Sequence, residues 1–340
     1  TAGALKKLEK KKFKNFLIID GDLLFNVDFK KLLSTHQKNK SDCTLLIHPN
    51  NHPYDSDAVE IDKNNKVIKI YKKNDKFKPN NCLSGIKIIK KNCLKFIELN
   101  KSQDFTKDFL PKIFKNKKKI YGYETREYIK DIGTPERIIQ ARYEIKTKKY
   151  KNGSLKKTLP AIFIDKDGVI NNLNKKKHYQ SVKDIIPGSI KALKLINNSN
   201  FLSVMITNQP AIAKGIISEK KFKNDLKILT SKLGKENVFL DKIYYCPHHP
   251  EKGYKNEIRY LKINCKCRKP KNGLFLKAIK ELNIDVKNSF MIGDQFSDFL
   301  ASEKTNLRFI GVNFKSKNNK KIIYKKNFLS AVNFILKFEN

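Results

Sequence analysis

The sequence predicts an α/β protein of two domains, each a mostly parallel sheet flanked by helices. Three observations carry this. Short apolar runs end abruptly in acidic residues: FLII at 16–19 before Asp20-Gly21-Asp22, AIFI at 161–164 before Asp165-Lys166-Asp167-Gly168, and FMI at 290–292 before Gly293-Asp294. Between such runs lie segments with helical spacing of apolar residues, the alternation expected of β-α-β units. A polar, lysine-rich stretch at 146–158, with Asn152-Gly153-Ser154 inside it, interrupts the pattern and reads as a linker between domains at 1–145 and 159–340.

The 340 residues suit two ordinary domains, and a 39% hydrophobic content can fill two cores. No apolar run approaches the roughly 18 residues of a membrane span, so no membrane partner is expected. The net charge of +40 would ordinarily suggest a nucleic-acid partner. Here the excess is almost all lysine, spread through both halves without a stacking motif, which is the mark of a compositional bias. It argues against nucleic acid as the main partner, and a basic nucleic-acid-binding or 3′-phosphate-processing protein stands as the alternative of another class. The absence of a leader suggests a cytoplasmic protein, although the chain begins with Thr1 and a start has been lost on this reading. Cys43, Cys82 and Cys93 are scattered and read as thiols without a role, so no disulfide scaffold is expected.

In the first half, a short lysine-rich helix follows Ala2-Gly3-Ala4-Leu5. The run at 16–19 is a strand, residues 59–71 alternate like paired strands, 82–89 form another strand, and 107–114 are helical. A last strand reaches Asp131, and Thr134-Pro135 opens a helix to Ile145. Asp22 and Asp131, on different strands, could share a magnesium ion at a nucleotide site, or could be acids in surface loops.

These residues carry a resemblance. TAGAL at 1–5, IIDGD at 18–22, LSGIKII at 83–89 and YIKDIGTPERIIQA at 128–141, in that order, resemble the sugar-phosphate nucleotidyltransferases. The resemblance implies a Rossmann-like domain, an NTP or nucleotide sugar as its partner, and Asp22 and Asp131 as magnesium ligands. The chain starts after the point where that family carries a glycine-rich phosphate loop, so a truncated, inactive transferase is the expectation for this half.

In the second half, the strand at 161–164 delivers Asp165 and Asp167. Two carboxylates spaced i, i+2 can hold a divalent metal, with one attacking phosphorus and the other moving protons. By itself D-x-D-G is equally a solvated acidic loop. Helices are expected at 185–198 and 217–233, and strands at 201–206 and 238–245. The second strand ends in Thr207-Asn208-Gln209, where the threonine hydroxyl could donate to a phosphoryl oxygen or cap the next helix. Cys246, His248, Cys265 and Cys267 form C-x-H and C-x-C clips suited to a tetrahedral zinc ion, with His249 as the spare. All four positions filled by protein make that zinc structural, in a loop spanning 246–267. Arg268 and Lys269 follow the clip at once, either aimed cations or two more solvated ones. Asp294 can complete a metal site begun at Asp165, Asp298 caps or supports that loop, and a closing strand and helix end the chain.

The four strand-end signals together (D-x-D-G, T-N-Q, C-R-K-P and G-D-x-x-S-D) resemble the haloacid dehalogenase superfamily of phosphatases. With the zinc clip they resemble its branch of heptose-bisphosphate and histidinol-phosphate phosphatases. The resemblance implies Asp165 as nucleophile, Asp167 as general acid and base, and Thr207, Asn208, Gln209, Arg268 and Lys269 around the substrate. It also implies magnesium on Asp165, Asp294 and the carbonyl of Asp167. The reaction expected is removal of the 7-phosphate of heptose 1,7-bisphosphate, with histidinol phosphate as the alternative substrate. Removing that phosphate leaves a sugar 1-phosphate, the substrate class of the first half. Two departures from the family pattern flank the pocket: Pro210-Ala211 after T-N-Q, and Lys175-Lys176-Lys177-His178 after Asn171.

Overall fold

The structure, a computed structural model, describes residues 2–50, 52–172, 179, 184–314 and 319–337. The lysine-rich segment 175–178 lies outside them. The chain divides into two compact units, residues 1–156 and 157–340.

In the first unit the strands are β1 (Asn15–Ile19), β2 (Leu23–Asn26), β3 (Cys43–His48), β4 (Ala58–Ile61), β5 (Val67–Tyr71), β6 (Cys82–Lys90), β7 (Ile120–Glu124) and β8 (Tyr128–Asp131). The main sheet runs β5-β4-β6-β3-β7 with β1 also on β6, and β2 pairs with β8 in a separate ribbon. The α/β class holds, with helices Phe29–Lys38 and Pro135–Lys146 beside these strands. The mostly parallel order does not extend to this sheet: β3–β7 is parallel, while β1–β6, β3–β6, β4–β5 and β4–β6 are antiparallel. The reason is connection length. β4 and β5 are joined by a tight turn in which the Asp62 carboxylate accepts from the N–H groups of Asn64 and Lys66, and a parallel pair would need a crossover of a dozen or more residues.

The polar stretch 146–158 is not free chain throughout. Residues Lys149–Asn152 form a helical turn, the Gly153 carbonyl accepts from the Tyr128 N–H at 2.9 Å, and Leu155 is buried.

The second unit holds one six-stranded sheet among the described residues: β9 (Ala161–Ile164), β10 (Leu202–Asn208), β11 (Lys242–Cys246), β12 (Phe290–Gly293), β13 (Arg308–Val312) and β14 (Ile323–Lys325). Its order is β11-β10-β9-β12-β13-β14, and every pairing is parallel. Alternation along the strands builds a core on each face. Ile162 and Ile164 face the helices Ser189–Asn198, Glu219–Lys235 and Phe328–Leu336 through Leu193, Leu229 and Val332. Ala161 and Phe163 face Gly273–Leu282 and Phe296–Glu303 through Phe275 and Phe299. With both faces covered, side chains with room for chemistry are those at the strand ends. Successive strands step from β9 outward to β11, then return to β12 on the other side of β9. That reversal opens a crevice at the carboxyl ends of β9, β10 and β12.

Candidate active site

Residues of three strands leave the sheet at one level. Ile164 pairs with Met205 on one side and Ile292 on the other, so Asp165, Thr207 and Asp294 emerge together. The N–H of Asp165 still donates to the Ile292 carbonyl at 3.0 Å, which holds the first acid in sheet geometry. Gly168 allows the loop to fold back at φ +94°. A Cβ there would lie 2.3 Å from Asp294 Oδ2, so both the backbone angle and the close approach require glycine. The Asn313 amide ties the loop down by donating to the Gly168 carbonyl at 3.1 Å.

Lys269 sits at the centre, 3% exposed. Its ammonium reaches Asp165 Oδ1 at 2.6 Å, Asp298 Oδ1 at 2.6 Å and the Ile206 carbonyl at 2.9 Å, which uses all three protons. Burial works against its charge, but Asp165 and Asp298 outweigh burial and raise its pKa. Asp298 is thus both a loop support, accepting from the Gln295 N–H at 3.1 Å, and the counter-ion of Lys269. Removing one partner of a buried pair strands the other charge. Asp298→Ala is expected to lower unfolding free energy by about 3 kcal/mol in denaturant titration; a loss within the range of an ordinary surface change would contradict the pairing.

The T-N-Q segment is mostly a brace. Asn208 holds the backbone of Lys269 at both ends, its amide donating to the Lys269 carbonyl at 3.0 Å and its oxygen accepting the Lys269 N–H at 3.1 Å. Asn208 thereby positions Lys269. Gln209 donates to Asp167 Oδ2 at 3.0 Å and to Thr207 Oγ1 at 2.9 Å. The other Asp167 oxygen takes the Lys166 ammonium at 2.5 Å, so both oxygens of this carboxylate are held by donors. Lys166 is fully buried, and its part in orienting Asp167 was not readable from a D-x-D pattern in which the middle residue is unspecified.

Asp165, Asp294 and Asp298 bring carboxylate oxygens within 4.8 Å of one another. Burial first, with Asp298, Asp294 and Asp167 adding to it against the pull of Lys269, pushes Asp165 up to about 8. Burial, reinforced by Asp298, likewise lifts Asp294 to about 6. Asp294 Oδ2 accepts from the Gln295 amide at 2.7 Å, while its Oδ1 is buried without a hydrogen-bond partner. A buried, unpartnered carboxylate oxygen beside further acids is what a hard divalent cation satisfies. Lys269 takes one oxygen of Asp165 and one of Asp298, and the second Asp298 oxygen accepts the Gln295 N–H, so the second Asp165 oxygen and Asp294 Oδ1 are the ones open to an ion.

Beside this cluster, β11 ends in Cys246, whose carbonyl accepts the Gln209 N–H at 2.8 Å. Cys246 Sγ lies 3.6 Å from Cys265 Sγ and 3.1 Å from Cys267 Sγ, which are 3.3 Å from each other. His248 Nδ1 stands 3.6 Å from Cys246 Sγ and 3.2 Å from Cys267 Sγ. Ligand atoms at roughly 2.3 Å from a tetrahedral zinc stand a little under 4 Å apart, so the four fit one ion after small shifts. Hydrogen bonding from Cys246 first, helped by Cys265 and His248 against burial, holds the Cys267 thiol down at about 5, a thiolate ready to ligate. His249 instead meets Tyr254 edge-on.

In the first unit the β2–β8 register sets Leu23 against Asp131, and the Ile132 N–H donates to the Asp22 carbonyl at 2.8 Å. A Cβ on Gly133 would lie 3.1 Å from Asp131 Oδ1 and 3.2 Å from Asp22 Oδ2, so both carboxylates converge on one glycine. Arg137, which the sequence did not single out, holds Asp131 Oδ2 at 2.7 Å and Asp55 at 3.1 Å.

A parallel sheet with an acid cluster and a buried lysine at its switch point defines a hydrolase of the haloacid dehalogenase type. Residues 266–326 match the family model described as HAD-hydrolase-like, and residues 1–148 match that described as nucleotidyl transferase. The D-glycero-beta-D-manno-heptose-1,7-bisphosphate 7-phosphatase of Pasteurella multocida is 43% identical over 149 residues, 44% of this chain and 78% of that protein. The enzyme of the same name from Vibrio cholerae is 41% identical over 144 residues, 42% of this chain and 75% of that protein. A crystal structure of D,D-heptose 1,7-bisphosphate phosphatase from B. bronchiseptica, complexed with magnesium and phosphate, aligns over 53% of this chain and 99% of that one at 19% identity and a TM-score of 0.46. The chain belongs to the family of D-glycero-β-D-manno-heptose-1,7-bisphosphate 7-phosphatases. Among the described residues, no helix is long and apolar enough to cross a membrane.

Proposed function

We propose that the second unit hydrolyses the 7-phosphate of D-glycero-D-manno-heptose 1,7-bisphosphate, and that the first unit is a nucleotidyltransferase for the resulting sugar 1-phosphate. The convergence of Asp165, Asp294 and Lys269 at one strand-end crevice carries the phosphatase reading. Asp165 attacks phosphorus, forming an aspartyl-phosphate as the bond to the sugar oxygen breaks. Asp167, held by Lys166 and Gln209, protonates the departing alkoxide. It then takes a proton from the water that attacks the phosphoenzyme, which frees inorganic phosphate and restores the Asp165 carboxylate. Lys269 and the Thr207 hydroxyl face the transferring group as fixed donors, in a site too dry to screen them. Magnesium on Asp165, Asp294 and the Asp167 carbonyl would neutralise charge on the phosphoryl oxygens. Zinc in the Cys246, His248, Cys265, Cys267 clip would fix the loop that carries Arg268 and Lys269, and by resemblance Arg268 contacts the sugar.

In the first unit, two carboxylates leave most of a magnesium shell to water and substrate phosphates, which is how that ion is held at nucleotide sites. Asp22 and Asp131 are the proposed ligands. The two activities would then be consecutive, with the product of the second unit serving as substrate of the first. Phosphate release from the heptose bisphosphate, compared with release from histidinol phosphate, tests the assignment. A kcat/KM at least 100-fold higher on the sugar is the result expected; equal turnover, or preference for histidinol phosphate, would replace it with the amino-alcohol substrate.

The acids also make a prediction about pH. Asp165 at about 8 and Asp294 at about 6 both lie above the ordinary carboxylate value of about 4 in an unfolded chain. In metal-free protein the stability they contribute is therefore complete in acid. It is lost as pH rises through about 6 and then about 8. A cation competes with those protons, so the rise in Tm on adding saturating magnesium should be several degrees larger at pH 8 than at pH 6. Equal shifts in thermal scans at both values would contradict these ligands.

A further inference from the structure

The loop that carries Asp167 turns on Gly168, and two hydrogen bonds hold that glycine, one on each side. Its N–H donates to the Asn171 carbonyl at 2.7 Å. A trans peptide points its N–H and C=O in opposite directions, so this bond turns the Asp167 carbonyl out of the loop. On the other side, the Gly168 carbonyl accepts from the Asn313 side-chain amide at 3.1 Å. Glycine is the residue whose backbone swings most readily, and here it must stay at φ +94°.

Asn313 reaches this loop from two strands away. Gly293 of β12 pairs with Gly311 of β13, so Asn313 leaves β13 one residue beyond the level of Asp294. Its amide crosses the end of β12 to the loop that follows β9. Gly168 is thereby kept against Asp294, where a Cβ would come within 2.3 Å of Oδ2. Asn313 itself sits at φ +52°, a left-handed conformation that asparagine tolerates and glycine tolerates better. Glycine would serve the turn alone; what asparagine adds is the amide. The next carbonyl along, that of Val169, accepts from Ser189 Oγ at a longer 3.3 Å. We infer that Asn313 is a positioning residue for the magnesium ion, fixing the Asp167–Gly168 peptide beside Asp294 before the ion arrives. A backbone already ordered in the free protein costs nothing further to order on binding. This rests on the assignment of magnesium to Asp165, Asp294 and the Asp167 carbonyl, and adds to it a residue that touches neither ion nor substrate.

A magnesium titration of the full chain with zinc bound, read by the rise in Tm and set beside the magnesium dependence of turnover, tests this. Asn313→Gly keeps the turn and removes the amide. It should weaken magnesium about fivefold, the effect of one ordinary hydrogen bond, while the magnesium-free Tm stays within about 3 °C of the parent value. Excess magnesium should then restore kcat, with KM for the sugar phosphate unchanged. Asn313→Asp keeps the shape but sets a second acceptor against the Gly168 carbonyl, so it should weaken magnesium at least as much. Ser189→Ala, which frees only the Val169 carbonyl, should leave magnesium affinity within about twofold. Parent-like affinity in Asn313→Gly or in Asn313→Asp overturns the inference, and so does a loss in Ser189→Ala equal to that in Asn313→Gly. A lowered magnesium-free Tm with unchanged magnesium affinity would make Asn313 a purely structural residue and overturns it too. If magnesium does not raise the Tm of the parent protein, the ion site at Asp165 and Asp294 falls first and takes this inference with it.

Discussion

Asp165→Asn is expected to lower phosphatase turnover by on the order of 10⁴-fold or more, while zinc content stays that of the parent protein. The amide has the shape of the carboxylate but cannot attack phosphorus. The fold should tolerate it, because Lys269 keeps Asp298 at 2.6 Å and the Ile206 carbonyl at 2.9 Å, and the zinc clip does not touch this residue. Burial and three neighbouring acids already oppose a charge at Asp165, so the neutral variant should be at least as stable as the metal-free parent at pH 8. Residual turnover near that of the parent would place the nucleophile elsewhere. Loss of turnover together with loss of zinc would point to misfolding instead.

The second large effect is expected from the clip. Cys267→Ser should remove most of the bound zinc and lower turnover by roughly 100-fold or more, although no zinc ligand faces the reacting phosphate. The path is short. Cys267 is followed by Arg268 and then by Lys269, whose ammonium must sit within hydrogen-bond reach of Asp165. Cys246, at the other side of the clip, ends β11 and accepts the Gln209 N–H, so a slack clip loosens the brace on Asp167 as well. Zinc content by mass spectrometry and kcat, measured on the same preparation, read the two effects together. Cys43→Ser serves as the control, since that buried thiol lies in the sheet of the first unit. Full activity in zinc-depleted Cys267→Ser would separate the clip from the chemistry.

Much of this arrangement was legible in the sequence because it depends on strand ends. An apolar run followed at once by an acid locates Asp165 and Asp294, and the C-x-H and C-x-C clips locate the thiol cluster. What pattern cannot show is which side chains answer one another across the crevice. Asp298 reads as a helix cap, and it is one, but its second oxygen belongs to Lys269. Asn208 reads as a substrate contact, and its clamp on the Lys269 backbone, with both ends of the amide engaged, is not written in T-N-Q. Arg137 lies in the first turn of a helix, and its bond to Asp131 follows from the fold of a ribbon that periodicity does not reveal. Strand direction in the first unit was hidden for a related reason: alternation reports burial, while the short turn between β4 and β5 sets their pairing. The boundary stretch reads as polar linker by composition, yet Leu155 finds a buried seat.

The most direct measurement follows the ³¹P NMR spectrum of D-glycero-β-D-manno-heptose 1,7-bisphosphate during incubation with the full chain, magnesium and zinc. The phosphate on C7 should disappear into inorganic phosphate while the anomeric phosphate on C1 persists. Loss of the anomeric signal, or persistence of both with zinc bound and magnesium in excess, would contradict the assignment.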